Sequence, residues 1–183
     1  MKNFETPLAI TMGDPSGIGP EIILKSIVET KLNNFLVFGD SLIFDSLIKS
    51  RGLPLTINKI SELSEAIFEE DYINLFETSK LNHLPHYGKI SKECGKASFD
   101  AILKSIELAK QGKVSGIVTA PISKKALNLA NINYPGHTEI LACHSNNKSV
   151  SMMLLNKHIK TVLVTLHCSI KQALDRITIQ NEL

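Results

Sequence analysis

Short runs of β-branched and apolar residues alternate with segments of helical period along most of the chain, and this alternation limits the possible folds more than any other feature. Pro7–Met12 predicts a first buried strand, and Pro20 suits the first position of the next helix, because its missing N–H would be unpaired there. The remaining predicted strands cover residues 35–38, 55–57, 72–75, 116–119, 150–155 and 161–166. The pattern is typical of a mainly parallel sheet covered by helices.

Capping residues define the predicted helices. Asp40 is suited to cap the second helix, whose end is marked by Gly52. The clearest helix runs from Ser91 to Gln111, with its apolar residues on one face. Ser169 and Gln172 form a capping-box pair at the start of the last helix.

Charge and cysteine content exclude several classes of protein. The net charge is +2, from 20 basic and 18 acidic residues that are mixed along the chain, so neither nucleic acid nor a membrane is expected as the main partner. Cys94, Cys143 and Cys168 are scattered and lack CxxC spacing, which indicates reduced thiols in a cytoplasmic protein. No apolar run approaches the roughly 20 residues that span a bilayer, so we expect a soluble protein.

The first candidate loop is Gly13–Glu21, which follows the first strand. Its closely spaced glycines allow a tight turn with exposed N–H groups, and the next helix contributes its positive end. The loop matches neither GxGxxG nor a Walker A motif. A plain strand-to-helix turn without a ligand remains equally open at this point.

A second candidate site combines residues 119–125 with residues 135–139. His137 and Thr138 place an imidazole and a hydroxyl beside a glycine near a helix start, which suits a phosphate or hydroxyl of a small polar substrate. Simple capping of the helix by either residue is an equally open interpretation. Lys124 and Lys125 are suited to an anion or, more commonly, to a solvated helix face.

His167 is the third candidate, because it lies between the end of an apolar strand and the cap of the last helix. A histidine at that place is suited to be a metal ligand or a proton carrier, but one histidine alone establishes neither. The other histidines give weaker signals. His83 and His86 have HxxH spacing outside a helix, and His144 and His158 are expected at a helix end and in a polar turn.

Several blocks together resemble the 4-hydroxythreonine-4-phosphate dehydrogenase family of vitamin B6 biosynthesis. They are ITMGDPSGIGPEI at Ile10–Ile22, SKECGKASFDAI from Ser91, IVTAPISKKALN at Ile117–Asn128, YPGHTEILA at Tyr134–Ala142 and VTLH at Val164–His167. The blocks occur in family order and span almost the whole chain. GDPSGIGPE and PGHTE are each distinctive.

The resemblance implies a three-layer α/β/α fold like that of isocitrate and isopropylmalate dehydrogenases, with a mostly parallel sheet. It implies that NAD (or NADP) oxidises 4-hydroxythreonine 4-phosphate, and that the product loses carbon dioxide to give 3-amino-2-oxopropyl phosphate for pyridoxal 5'-phosphate. It also implies that His137 and Thr138 bind substrate. His167 is implied to be one of three histidine ligands of a divalent ion (Zn, Mg or Co), in a homodimer whose active site lies at the interface.

The chain also departs from the family pattern. Family members read a THIPL-like sequence at the metal histidine, whereas here His167 is followed by Cys-Ser-Ile. The other two metal histidines of the family lie beyond Leu183, so the fold and the metal site are expected to be incomplete and this chain alone inactive. First-domain elements are expected in residues 1–115 and the start of a second domain in residues 116–183. The catalytic base and the residues that contact the cofactor stay open.

Three other functions remain as alternatives. A paralogous dehydrogenase for another four-carbon phosphorylated acid would have much the same loops. A phosphate acyltransferase-like enzyme would use acetyl phosphate and coenzyme A but not NAD. A non-catalytic fragment would show no turnover at any metal concentration, with activity restored in a longer chain.

Overall fold

The computed structural model describes residues 6–146, 150–165 and 168–179, which divide into two compact units, Met1–Ser145 and Asn146–Leu183. The elements of the first unit follow one another as β1 (Leu8–Thr11), α1 (Gly19–Thr30), β2 (Phe35–Gly39), α2 (Ser41–Arg51), β3 (Thr56–Ile60), β4 (Tyr72–Glu77), α3 (Lys92–Lys110), β5 (Gly116–Thr119), α4 (Lys124–Leu129) and α5 (His137–His144). A short 3-10 helix, Leu63–Glu65, lies between β3 and β4.

The five strands of the first unit form one parallel sheet in the order β3-β4-β2-β1-β5. Every residue of β2 is buried, as expected for a central strand of a parallel sheet. Phe35 and Val37 pack with α1 and α2, whereas Leu36 and Phe38 pack with α3. Because successive side chains of a strand point to opposite faces, helices cover both faces. The predicted three-layer, mostly parallel α/β fold is confirmed.

The predicted helix starts are confirmed by their caps. The Asp40 carboxylate accepts a hydrogen bond from the Leu42 N–H at 3.0 Å, and α2 ends at Gly52 with a φ of +59°. The Ser91 hydroxyl accepts from the Cys94 N–H at 3.1 Å, and Pro20 lies in the first turn of α1. Local sequence therefore fixes where these helices begin.

Strand β5 lies at one edge of the sheet in the described residues, where it pairs with β1 from Leu8↔Gly116 to Thr11↔Thr119. Residues 116–145 therefore belong to the same compact unit as the elements that precede them. The boundary between the two compact units lies between Ser145 and Asn146. The boundary near residue 115 concerns the domains of a longer two-domain enzyme, and it stays a prediction.

The second unit contains an antiparallel pair, β6 (Met152–Leu155) and β7 (Lys160–Leu163), followed by α6 (Ile170–Arg176). Both strands were predicted, and the Ser169–Gln172 capping box at the start of α6 is confirmed. Many apolar side chains of this unit are exposed, including Leu155 at 68% and Ile170 at 84%.

Among the described residues, no helix combines the length and apolar character that crossing a membrane requires.

Candidate functional site

Two of the predicted segments meet at the carboxyl ends of β1 and β5. They are Gly13–Glu21, called the first loop, and residues 119–125, called the second loop. The Ala120 N–H donates to the Thr11 carbonyl at 3.2 Å, and the Asp14 N–H donates to the Pro121 carbonyl at 2.9 Å. Gly13 has a φ of +72°, and a Cβ at that position would overlap the Pro121 carbonyl oxygen. Only glycine permits this close approach without strain. The carboxyl edge of a parallel sheet is where ligands bind in open α/β folds.

The first loop is closed by its own hydrogen bonds. Asp14 Oδ1 accepts from both the N–H and the hydroxyl of Ser16, each at 2.9 Å, and the Gly17 N–H donates to the Asp14 carbonyl at 3.0 Å. Asp14 and Ser16 are only 6% and 4% exposed. The N–H groups of residues 14, 16 and 17 are thus already satisfied. This loop therefore supports its neighbours and does not present those donors to an anion.

His137 is the first residue of α5 and contacts the second loop. Its Nε2 atom is buried and has no hydrogen-bond partner in the described structure. Burial lowers the pKa of the imidazole below its usual value of 6.5, and a hydrogen bond with the backbone of Ala120 offsets this in part. The ring is therefore neutral at neutral pH, with one nitrogen left for a ligand.

Thr138 follows in the first turn of α5 and is half-buried. Gly136 occupies the N-cap position, and no side chain caps this helix. The capping interpretation of His137 and Thr138 is therefore wrong, because both residues lie inside the helix. The first N–H groups of a helix have no partner within it and favour negative charge. An imidazole, a hydroxyl and a helix start thus lie side by side.

Aromatic packing holds the segment that carries these residues. The Tyr134 ring lies 6.0 Å from Phe99 of α3 and 5.9 Å from His144 at the end of α5. The Tyr134 hydroxyl lies 3.1 Å from His144 Nε2. Tyr134 lies three residues before His137 in the YPGHTE block. Its membership of that block is the sequence feature that could have indicated this packing role. No role for Tyr134 was predicted from the sequence.

The other lysines and histidines that the sequence suggested as site residues contribute less to the candidate site. Lys124 and Lys125 are exposed in the first turn of α4, as a solvated helix face would be, and Ser123 caps that helix. His144 ends α5 and His158 is exposed in the turn between β6 and β7, as predicted. None of these side chains extends the site at His137.

The metal prediction falls on a residue outside the described structure, since His167 is not among the described residues. Across residues 6–146, 150–165 and 168–179, no group of three histidine, cysteine or acidic side chains is arranged to hold a metal ion. These residues therefore do not form a metal site by themselves, and no chemical step is derived through an ion.

The fold is that of an α/β protein with a mostly parallel sheet, and the candidate site lies at the carboxyl edge of that sheet. The family described as pyridoxal phosphate biosynthetic protein PdxA matches residues 31–183. This chain belongs to the PdxA family.

Individual relatives agree with this assignment. A 4-hydroxythreonine-4-phosphate dehydrogenase from Beijerinckia indica subsp. indica is 47% identical over 175 residues, covering 95% of this chain and 52% of that relative. A protein of Fusobacterium nucleatum, named provisionally as a D-threonate 4-phosphate dehydrogenase, is 36% identical over 179 residues, or 96% of this chain and 54% of its own. The crystal structure of 4-hydroxythreonine-4-phosphate dehydrogenase from Klebsiella pneumoniae superposes with a TM-score of 0.89 at 33% identity. The superposition covers 99% of this chain and 56% of that chain. This chain therefore spans about half the length of these relatives.

Proposed function

We propose that the full-length protein oxidises 4-hydroxythreonine 4-phosphate with NAD (or NADP), with decarboxylation to 3-amino-2-oxopropyl phosphate, in the synthesis of pyridoxal 5'-phosphate. The observation that carries this proposal is the GHTE segment at the carboxyl edge of the sheet, in a chain that is 47% identical to an enzyme of that name. Bound NAD would accept the hydride of the substrate's secondary alcohol.

His137 and Thr138 are proposed to hold the phosphorylated substrate. Leaving a buried polar group unpaired costs about 1–3 kcal/mol, and a hydrogen bond from the substrate to His137 Nε2 would remove this cost. The Thr138 hydroxyl and the start of α5 would add donors for an anionic group. The lowered pKa of His137 keeps the ring neutral, so it hydrogen-bonds without adding charge.

We propose that His167 is one of three histidine ligands to a divalent ion (Zn, Mg or Co). The other two ligands would come from the part of the longer relatives that this chain does not span. We also propose a cytoplasmic homodimer with the active site at its interface.

The experiment measures NADH absorbance with the full-length protein, 4-hydroxythreonine 4-phosphate and each metal in turn. NADH should form only with a divalent ion, and a strong chelator or His167→Ala should abolish it. His158→Ala is the matched control, because that histidine is exposed in a turn, and it should retain activity. Turnover that survives both the chelator and His167→Ala would refute the metal role. Activity with acetyl phosphate and coenzyme A but none with NAD would refute the dehydrogenase.

The second candidate function is oxidation of D-threonate 4-phosphate, which the name of the Fusobacterium nucleatum relative favours. The two substrates share the phosphate and the secondary alcohol. They differ in that 4-hydroxythreonine 4-phosphate carries an amino group where D-threonate 4-phosphate carries a hydroxyl group. The ratio of their kcat/KM values on the full-length protein decides between them. A higher value for D-threonate 4-phosphate would replace the first candidate with the second.

A further inference from the structure

Helix α5 carries His137 and Thr138, but its own sequence contributes little to holding it in place. It has eight residues, and a helix of this length is marginal without tertiary contacts. Its N-cap is Gly136, which has no side chain to accept from the first N–H groups. Of the eight described residues of α5, Ile140 alone is buried, where it packs with apolar side chains of α3 and α4. One apolar contact does not fix the direction of a helix, so other contacts must do so.

An aromatic cluster joins the two ends of the segment that contains α5. The Tyr134 ring, three residues before the helix, lies 5.9 Å from the ring of His144, the last residue of the helix. Both rings pack on Phe99 of α3, Tyr134 at 6.0 Å and His144 at 5.6 Å. Separations of about 4.5–7 Å are those of favourable aromatic pairs. The cluster therefore closes the segment into a loop fastened to α3, and His137 and Thr138 lie within that loop.

The Tyr134 hydroxyl adds hydrogen bonds to this cluster. It lies 3.1 Å from His144 Nε2 and donates to Cys143 Sγ at 3.5 Å. A phenol hydroxyl donates one hydrogen bond and accepts others, so both contacts are made together when Nε2 carries a hydrogen. The bond to Cys143 and burial raise the pKa of the Tyr134 phenol, which therefore keeps its proton at neutral pH. Because hydrogen bonds are directional, the hydroxyl fixes the ring against the end of α5.

The first residue of α5 is attached separately to the second loop. The backbone of Ala120 forms a hydrogen bond with His137, and the Ala120 N–H donates to the Thr11 carbonyl at the end of β1, at 3.2 Å. The helix is thus held at its start by the edge of the sheet and at its end by α3. A shift at His144 would tilt the helix about the Ala120 contact and would displace Thr138 and the His137 ring.

We propose that Tyr134 and His144 are positioning residues, which hold α5 in the orientation that lets His137 and Thr138 bind the phosphorylated substrate together. The inference rests on the proposed function, because it takes the site at His137 as the substrate site. Neither positioning residue has to touch the substrate. Without them the start of α5 gains freedom that substrate binding must remove again, and this lowers affinity.

The test measures binding of 4-hydroxythreonine 4-phosphate to the full-length protein by calorimetric titration. Tyr134→Phe keeps the ring and removes the hydroxyl, so it should weaken binding about fivefold, the effect of one net hydrogen bond. Tyr134→Ala also removes the ring contacts and should weaken binding roughly 20-fold. Tyr87→Phe is the matched control, because Tyr87 is 58% exposed and lies outside this segment, and it should bind the substrate normally.

Two further measurements separate positioning from a general loss of stability. In the His137→Ala background the effect of Tyr134→Phe should be smaller than fivefold, because one of the two displaced groups is absent. NMR titration of the His137 ring needs no substrate. Burial holds the pKa of His137 below 6.5, and the pKa should move toward 6.5 in Tyr134→Ala, since a loosened helix start admits water. Tyr87→Phe should leave it unchanged.

Two results would overturn the positioning role. One is unchanged substrate affinity in Tyr134→Phe and Tyr134→Ala together with an unchanged pKa of His137. The other is an equal loss of affinity from Tyr134→Phe in the unaltered protein and in the His137→Ala background. If the unaltered protein did not bind the substrate, the proposed function would fail, and the pKa of His137 in Tyr134→Ala would still show whether the cluster positions that ring.

Discussion

Gly95→Ala tests the packing that positions the second loop. Gly95 lies in α3 against α4, and a Cβ there would overlap the Ala126 carbonyl group and approach the Leu127 nitrogen to 2.8 Å. These are backbone atoms, so no side-chain rotation relieves the overlap. Overpacking of this kind costs about 3 kcal/mol, and the better helix propensity of alanine returns about 1 kcal/mol. The net loss in the free energy of unfolding is therefore about 2 kcal/mol.

Urea and thermal unfolding measure this loss. For a chain of this size, about 2 kcal/mol lowers Tm by roughly 4–8 °C. Gly116→Ala is the control, because its Cβ would meet only the Leu8 side chain at an ordinary 3.5 Å, and it should leave stability within about 1 kcal/mol of the original. If Gly95→Ala were as stable as the original chain or more so, the close approach of α3 and α4 would be refuted.

The other predictions concern a buried carboxylate and a half-buried imidazole. The Asp40 carboxylate accepts from Leu42 N–H at 3.0 Å and from Leu81 N–H at 2.7 Å, so Asp40→Ala should lower the free energy of unfolding in urea by about 2–4 kcal/mol. Asp40→Asn, which keeps one acceptor, should lose less, and an equal loss would argue against these bonds. Because burial lowers the pKa of His137 in the folded state, the unfolded chain binds a proton first as pH falls below 6.5. Stability should therefore decline with acidification from that point, more steeply than in His137→Gln. Parallel pH profiles for the two proteins would contradict this.

The sequence was sufficient for the elements whose signals are local. Asp40 was identified as a cap because a short acceptor side chain directly preceded an apolar helical pattern. The helix predicted from Ser91 does begin there, with Ser91 as its cap. The strand at residues 116–119 was predicted at its observed bounds. The weaker β3 was predicted at residues 55–57 but spans Thr56–Ile60, since the polar Asn58 and Lys59 interrupt its apolar pattern. Local pattern thus gives the existence of an element more reliably than its length.

The arrangement of the site depends on contacts that are distant in sequence. No local signal shows that Asp14 bonds to Pro121, or that the backbone of Ala120 meets His137. The motifs indicated that Gly13 and His137 belong to loops of interest, but only the pairing of β1 with β5 brings those loops together. The antiparallel pairing of β6 with β7 was likewise not evident from strand patterns alone.

Calorimetric titration of 4-hydroxythreonine 4-phosphate into the full-length protein tests most directly whether His137 and Thr138 hold the substrate. His137→Ala should bind the compound about 10–100-fold more weakly and Thr138→Ala about tenfold more weakly, since each loses a hydrogen bond to a charged ligand. His158→Ala should bind it as the unaltered protein does. Unchanged affinity in both His137→Ala and Thr138→Ala would contradict the assignment of this site.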